Sequence, residues 1–226
     1  MSGVRQPIVA IDGPAGSGKS TVAKLVAQRL QFTYLDTGAM YRAVTVAVLR
    51  QGLDPADRQA VEGAARRARI EFVPGQAGKV LLDGEDVSEA IRTPEISRLV
   101  SAHIASFPGV REVLVAAQRA MGERGGVVME GRDITTVVFP QAEVKIFLFA
   151  SQASRAARRF AELEQKGKPQ PYAELLADLQ RRDLEDQNRP GGALQRAPGA
   201  HALDTTDLNI EETVEAILKL VQAKEQ

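Results

Sequence analysis

Residues 8–30 constrain this chain more than any other stretch. Ile8, Val9, Ala10 and Ile11 are consecutive apolar residues and predict a buried strand. Gly13-Pro14-Ala15-Gly16-Ser17-Gly18-Lys19-Ser20 then fits G-x-x-x-x-G-K-[ST] at every fixed position. Val22, Leu25, Val26 and Leu30 recur behind it at helical spacing. Strand, glycine loop and helix together predict a phosphate site. The glycines let backbone N–H groups turn inward around an anion, and the helix adds its positive end. Lys19 can reach the β- and γ-phosphates, and the Ser20 hydroxyl can ligate Mg²⁺. The cofactor-binding set expected is therefore Gly13 through Thr21, holding a nucleoside triphosphate with its metal. An ordinary glycine-rich strand–helix turn is the alternative, and it leaves the lysine and the hydroxyl unexplained.

The 226 residues suffice for one α/β core plus an insertion. Twenty-nine basic residues balance twenty-nine acidic ones, which argues against a nucleic-acid protein driven by bulk charge. The absence of cysteine removes disulfides, thiolate metal sites and a cysteine nucleophile. No run of about 18 apolar residues predicts a membrane span. Met1 to Pro7 leads into the first strand with no signal-peptide core. The expectation is a cytoplasmic monomer without membrane or nucleic-acid partners.

Along the chain, Phe32–Leu35 reads as a second strand, followed by a helix over Ala39–Gln51 and a charged, exposed helix over Arg58–Arg69. From about Ile70 to Ala105 the character changes. Short strands at 70–73, 79–82 and 85–87 are separated by glycine turns, and Asp83-Gly84 is a hairpin signal. Antiparallel chemistry inside a βα chain predicts an inserted subdomain. Thr93-Pro94 starts a further helix with Ile96, Leu99, Val100 and Ile104 at helical period, and Val110–Met121 marks the next. Val127–Met129, Val144–Phe149 and Ala202–Asp204 complete five apolar runs separated by helices, which predicts a doubly wound parallel sheet. Asn209-x-x-Glu212 caps the last helix.

The excursion at 151–199 is rich in arginine, with a Gly-Lys-Pro-Gln-Pro break at 167–171. Leu175 and Leu179 define a helical stripe that Arg182, Asp186 and Arg189 continue. An apolar face that turns charged predicts a lid laying arginines over phosphates. A helix running out into water is the alternative. Thr37–Arg42, Ser101 with Arg111, and Glu130–Asp133 are further polar clusters. Asp36 and Glu130–Asp133 follow strand ends, where ligands bind in such sheets. Singly, Arg42 reads equally as a surface residue, Arg111 as a solvated first-turn arginine and Asp133 as a helix cap. His103 and His201 have no nucleophile or ligand spaced near them and read as structural.

With these motifs in place, the chain resembles the cytidylate kinase family of P-loop nucleoside monophosphate kinases. The resemblance covers nearly the whole chain. It rests on residues 11–20, Leu-Asp-Thr-Gly-Ala-Met-Tyr-Arg at 35–42, Asp-Gly-Glu-Asp-Val at 83–87, Ile-Arg-Thr at 91–93, Glu-Gly-Arg-Asp at 130–133 and Val-Lys-Ile-Phe-Leu at 144–148. It implies phosphoryl transfer from ATP to CMP or dCMP, with Mg²⁺. It also implies a monophosphate-binding subdomain at 70–105, a lid at 151–199 and a core at 4–69, 106–150 and 200–226. By position, Arg42, Arg132 and Arg189 would hold the acceptor phosphate. Ser101, Arg111 and Asp133 would read the cytosine edge. Arg182 and Asp186 would lie near the ribose, with Tyr41 and Thr37 beside the nucleotide. Arg158 and Arg159 would be lid arginines, so the catalytic set is Lys19, Arg132, Arg158, Arg159 and Arg189. Glu130 stands where many relatives have Asp, and Thr135 where the family usually has Gly.

The acceptor phosphate is already an anion near neutral pH, so catalysis reduces to positioning and charge stabilisation. A kinase for another small acceptor is the rival among enzymes. A regulatory nucleotide switch is the rival outside them, but D-x-x-G and N-K-x-D are both missing from the sequence.

Overall fold

A computed structural model describes residues 5–165, 167 and 169–225. β1 (Ile8–Asp12) is buried along its whole length and runs through the glycine loop into α1 (Lys19–Leu30). Gln31 closes α1 in the left-handed conformation, and Phe32 returns its N–H to Ala27 O at 2.8 Å. That closure uses Phe32, so β2 spans Thr33–Asp36 rather than starting one residue earlier. Asp36 accepts from Ala39 N at 2.9 Å, which starts α2 (Thr37–Arg50) two residues before the expected position. α3 covers Arg58–Arg67 and stops because Ala68 turns extended toward the next strand. It buries Val61, Ala64 and Ala65 against α2 and α5 (Pro108–Gly122), so only its outer face is exposed.

β3 (Ile70–Phe72), β4 (Val80–Leu82) and β5 (Glu85–Asp86) form a separate antiparallel sheet. Asp83 and Gly84 both take positive φ, the conformation that matches strand twist in a two-residue hairpin. Val80, Leu82, Val87 and Ile91 pack on Ala39, Ala43, Val46 and Ala47 of α2. α4 (Pro94–Ala102) starts at the Thr93 cap with proline in its first turn.

β6 extends from Val127 to Gly131, two residues past the expected end, because β1 continues beside it as far as Asp12. A π-helical turn follows over Ile134–Val138. β7 (Val144–Phe149), α6 (Gln152–Gln165), α7 (Tyr172–Gln187), β8 (His201–Asp204) and α8 (Ile210–Glu225) complete the chain. Within the 167–171 break, Lys168 lies outside the described residues. Asn209 and Glu212 exchange reciprocal bonds of 2.9 Å at the start of α8.

The main sheet is parallel throughout, in the order β2-β6-β1-β7-β8. Val9 and Ile11 face one core with α1 and α8, while Ile8 and Ala10 face the other with α5 and the π-turn. Both faces are covered, which is why the strands read as continuous apolar runs. Chain direction across the sheet reverses at β1, so the crevice opens beyond Asp12, Gly131 and Asp36. Among the described residues no single helix is long and apolar enough to cross a membrane.

Candidate active site

A cavity of about 2240 Å³ opens at that switch point, between the glycine loop, the small sheet with α4, and the α6–α7 pair. The loop is held tightly: a Cβ on Gly13 would lie 1.9 Å from Leu148 O. Gly18 takes φ 87° at the start of α1, a left-handed conformation that favours glycine. Ser20 and Thr21 are exposed to it. Lys19 is buried and donates from Nζ to Pro14 O at 2.8 Å. Burial, then the nearby Arg132 charge, pushes the Lys19 ammonium down to about 7.

Further charged groups line the same cavity, with Arg132 and Asp186 near enough to Lys19 to act on its charge. Asp186 bridges two cations: Arg132 Nε donates to Oδ2 at 2.5 Å, and Arg189 donates to Oδ1. Those guanidinium groups outweigh burial and hold the Asp186 carboxyl below its usual range. Arg42 Nη2 donates to Asp36 Oδ2 at 2.7 Å, while its buried Nε has no partner among the described residues. Arg182 Nε is likewise buried and unpartnered. Burial and the charges of Arg132, Arg42 and Arg159 bring the Arg182 guanidinium down to about 10, despite Asp186. Buried cations that destabilise one another mark an anion site.

Arg111 is buried, which removes the solvated first-turn reading. It donates to Asp133, to Gly191 O at 2.9 Å and to Tyr41 Oη at 3.4 Å. Asp133 makes no capping bond, which removes the helix-cap reading. Thr37 Oγ1 donates to Glu130 O at 2.8 Å and pins the end of β6. Ser101 lines the same cavity from α4. The charged end of the stripe is turned to the protein: Asp186 is buried and Arg182 half-buried, while Arg189, also buried, lies past the end of α7 at Gln187 rather than on the helix. The stripe does not run out into water. His103 and His201 line no part of the cavity.

Arg158 and Arg159 border the cavity but engage protein partners. Arg158 donates to Thr205 Oγ1 at 3.1 Å and to Thr205 O, and Arg159 pairs with Glu162 at 2.7 Å. Arg158 lies beside the loop, its Nη1 3.9 Å from where a Cβ on Gly18 would stand, but the arginine that bonds to the loop among the described residues is Arg155, to which the motifs gave no separate role. It donates to Ala15 O at 2.9 Å, to Ala150 O at 3.1 Å and to both Asp183 oxygens at 3.0 and 2.6 Å. Asp12 is a second omission. It stands fully buried between β1 and the loop, and a carboxylate ending an apolar strand is the signal that it needs partners. Tyr34 is a third, donating to Glu130 Oε1 at 2.9 Å.

Among the described residues no three His, Cys, Asp or Glu side chains form a metal cage. The Ser20 hydroxyl and the Glu130 carboxylate supply hard oxygen donors on the loop side of the cavity. That set fits an ion such as Mg²⁺ that keeps most of its shell from phosphates and water.

A family model described as cytidylate kinase matches residues 9–223. A cytidylate kinase from Solibacter usitatus (strain Ellin6076) is 52% identical over 222 residues, covering 97% of this chain and 94% of the relative. A cytidylate kinase from Lactiplantibacillus plantarum (strain ATCC BAA-793 / NCIMB 8826 / WCFS1) is 50% identical over 218 residues, covering 96% and 95%. In shape, the chain is similar to a shikimate kinase from Bacteroides thetaiotaomicron, with a TM-score of 0.51, 14% identity and coverage of 96% and 98%, a likeness of fold.

Proposed function

The chain belongs to the cytidylate kinase family and transfers a phosphoryl group from ATP to CMP or dCMP; from that premise we propose how its residues divide the work. Gly13 to Thr21 hold the donor phosphates, with Lys19 bridging toward the transferred group. Ser20 and Glu130 would hold Mg²⁺, which supplies charge neutralisation when bound. Arg42, Arg132 and Arg189 grip the acceptor phosphate, and Arg182 with Asp186 lies against the ribose. Thr37 and Tyr41 flank the acceptor, while Ser101, Arg111 and Asp133 read the base. Arg158 and Arg159 leave Thr205 and Glu162 for the phosphates as the site closes. Closure excludes water, which would otherwise take the phosphoryl group. Residues 70–105 serve as the monophosphate-binding subdomain and 151–199 as the lid. The proposal takes the protein to act as a monomer in the cytoplasm.

One observation carries this reading. Lys19, Arg42, Arg132 and Arg182 line a single cavity, where burial first and neighbouring positive charge second depress Lys19 and Arg182, and phosphates are the anions that would relieve them.

Base reading is the sharpest test. Cytosine offers a donor at N4 and acceptors at N3 and O2; uracil reverses the first two. A carboxylate that accepts from N4 opposes uracil O4, and an arginine that donates to N3 meets a proton there. Each buried mismatch costs about 1–3 kcal/mol, so two give discrimination on the order of a hundredfold. Asp133→Ala is expected to cut kcat/KM strongly for CMP and much less for UMP. An unchanged CMP/UMP ratio would place base recognition elsewhere.

A further inference from the structure

Asp133 heads the π-turn, yet its carboxylate makes no bond to that turn. An aspartate there ordinarily folds back onto the unpaired N–H groups it precedes. Those groups are taken by another residue. Asp12 Oδ1 accepts from Ile134 N at 2.8 Å, and Oδ2 accepts from Thr135 N at 2.8 Å and from the Thr135 hydroxyl at 2.6 Å.

We propose that Asp12 and Thr135 are a positioning pair for acceptor recognition: Asp12 caps the turn in place of Asp133, which leaves the Asp133 carboxylate to Arg111 and the base. The inference rests on the reading of Asp133 as a base-recognition residue. Two further features support it. Asp12 precedes Gly13, so one carboxylate ties the base-reading turn to the phosphate loop, and donor and acceptor sides share a rigid reference. Thr135 is buried at 1% exposure, so its hydroxyl has no water to fall back on and is committed to Asp12.

The test compares kcat/KM for CMP and UMP in wild type, Asp12→Asn, Thr135→Val, Thr135→Ser, Asp133→Ala and the Asp12→Asn/Asp133→Ala double variant. Asp12→Asn turns an amide N–H₂ toward N–H donors and is expected to lower CMP preference about tenfold or more. Thr135→Val keeps the shape, loses the hydroxyl and is expected to lower the preference about threefold. Thr135→Ser restores it. With Asp133 already removed, Asp12→Asn leaves the ratio where Asp133→Ala put it. General loosening of the fold slows both acceptors alike and does not move the ratio. If Asp133→Ala abolishes the preference while Asp12→Asn and Thr135→Val retain it, the pairing is wrong and base reading by Asp133 stands. If Asp133→Ala itself retains the preference, base reading fails and the pairing with it. Should Asp12→Asn not fold, an unchanged ratio in Thr135→Val overturns the pairing alone.

Discussion

Lys19 illustrates how a single residue can be built unfavourably for the sake of its ligand. Burial and Arg132 bring its ammonium down to about 7, so near neutral pH part of the ligand-free population lacks the proton. A bound polyphosphate favours the charged form and draws the proton back. Binding of an ATP analogue at pH 7.5 (about half a unit above that value) should therefore take up a fraction of a proton per site. Calorimetry in two buffers of different ionisation enthalpy reads this directly, and identical heats in both would contradict it. Lys19→Met should remove the proton uptake and lower transfer by roughly 10²–10³-fold. The same substitution should leave the ligand-free melting temperature equal or higher, since it removes a charge buried beside another cation. At the same scale, Thr135 commits its buried hydroxyl to Asp12.

Among the elements, α6 and α7 are less free than a hinged lid would be. Arg155 fastens the first turn of α6 to Ala15 in the glycine loop and, through Asp183, to the C-terminal part of α7. A buried, bidentate pair of this kind is costly to break from one side, about 3–5 kcal/mol. By contrast, the connection between β3 and β4 reaches the cavity through Pro74, Gly75, Gln76 and Ala77, all exposed. Ligand-dependent ordering should thus be uneven. An ATP analogue plus CMP is expected to slow amide exchange in residues 73–79 and α4 more than around Arg155, which is buried and bonded without ligand. Equal slowing in both regions would count against the anchor. Arg155→Ala should raise exchange in α7 and the glycine loop without ligand.

For the whole molecule, two buried groups give opposite pH slopes to stability. Asp12 is raised by burial from 3.8 to about 6, so between those values the folded chain holds more protons than the unfolded one. Its contribution is complete below the lower value and is lost as pH rises through the upper. Lys19 is depressed from 10.5 to about 7, so the unfolded chain holds more protons in that interval, and the contribution grows as pH rises. Relative to wild type, Asp12→Asn should flatten the fall in unfolding free energy between pH 4 and 6, and Lys19→Met should flatten the rise between pH 7 and 10. Denaturant titrations of the three proteins across pH 4–10 measure both, and parallel curves would mean that neither group titrates as described.

The sequence by itself determined the glycine loop, the five apolar runs and the doubly wound sheet, because backbone geometry and strand burial are written in local residue types. It also brought out the antiparallel interruption after residue 69, through Asp83-Gly84, and the capping pair at Asn209 and Glu212. Local pattern could not say which arginine meets which carboxylate. Arg155, Arg158 and Arg159 share one face of α6 and look alike in sequence, yet the first is buried against the loop while the others, a turn further along, meet Thr205 and Glu162. Asp133 could be read as a cap or as a ligand-facing group until β1 brought Asp12 to the turn it heads. Those choices depend on partners far apart in the chain, so only the packing of strands and helices decided them.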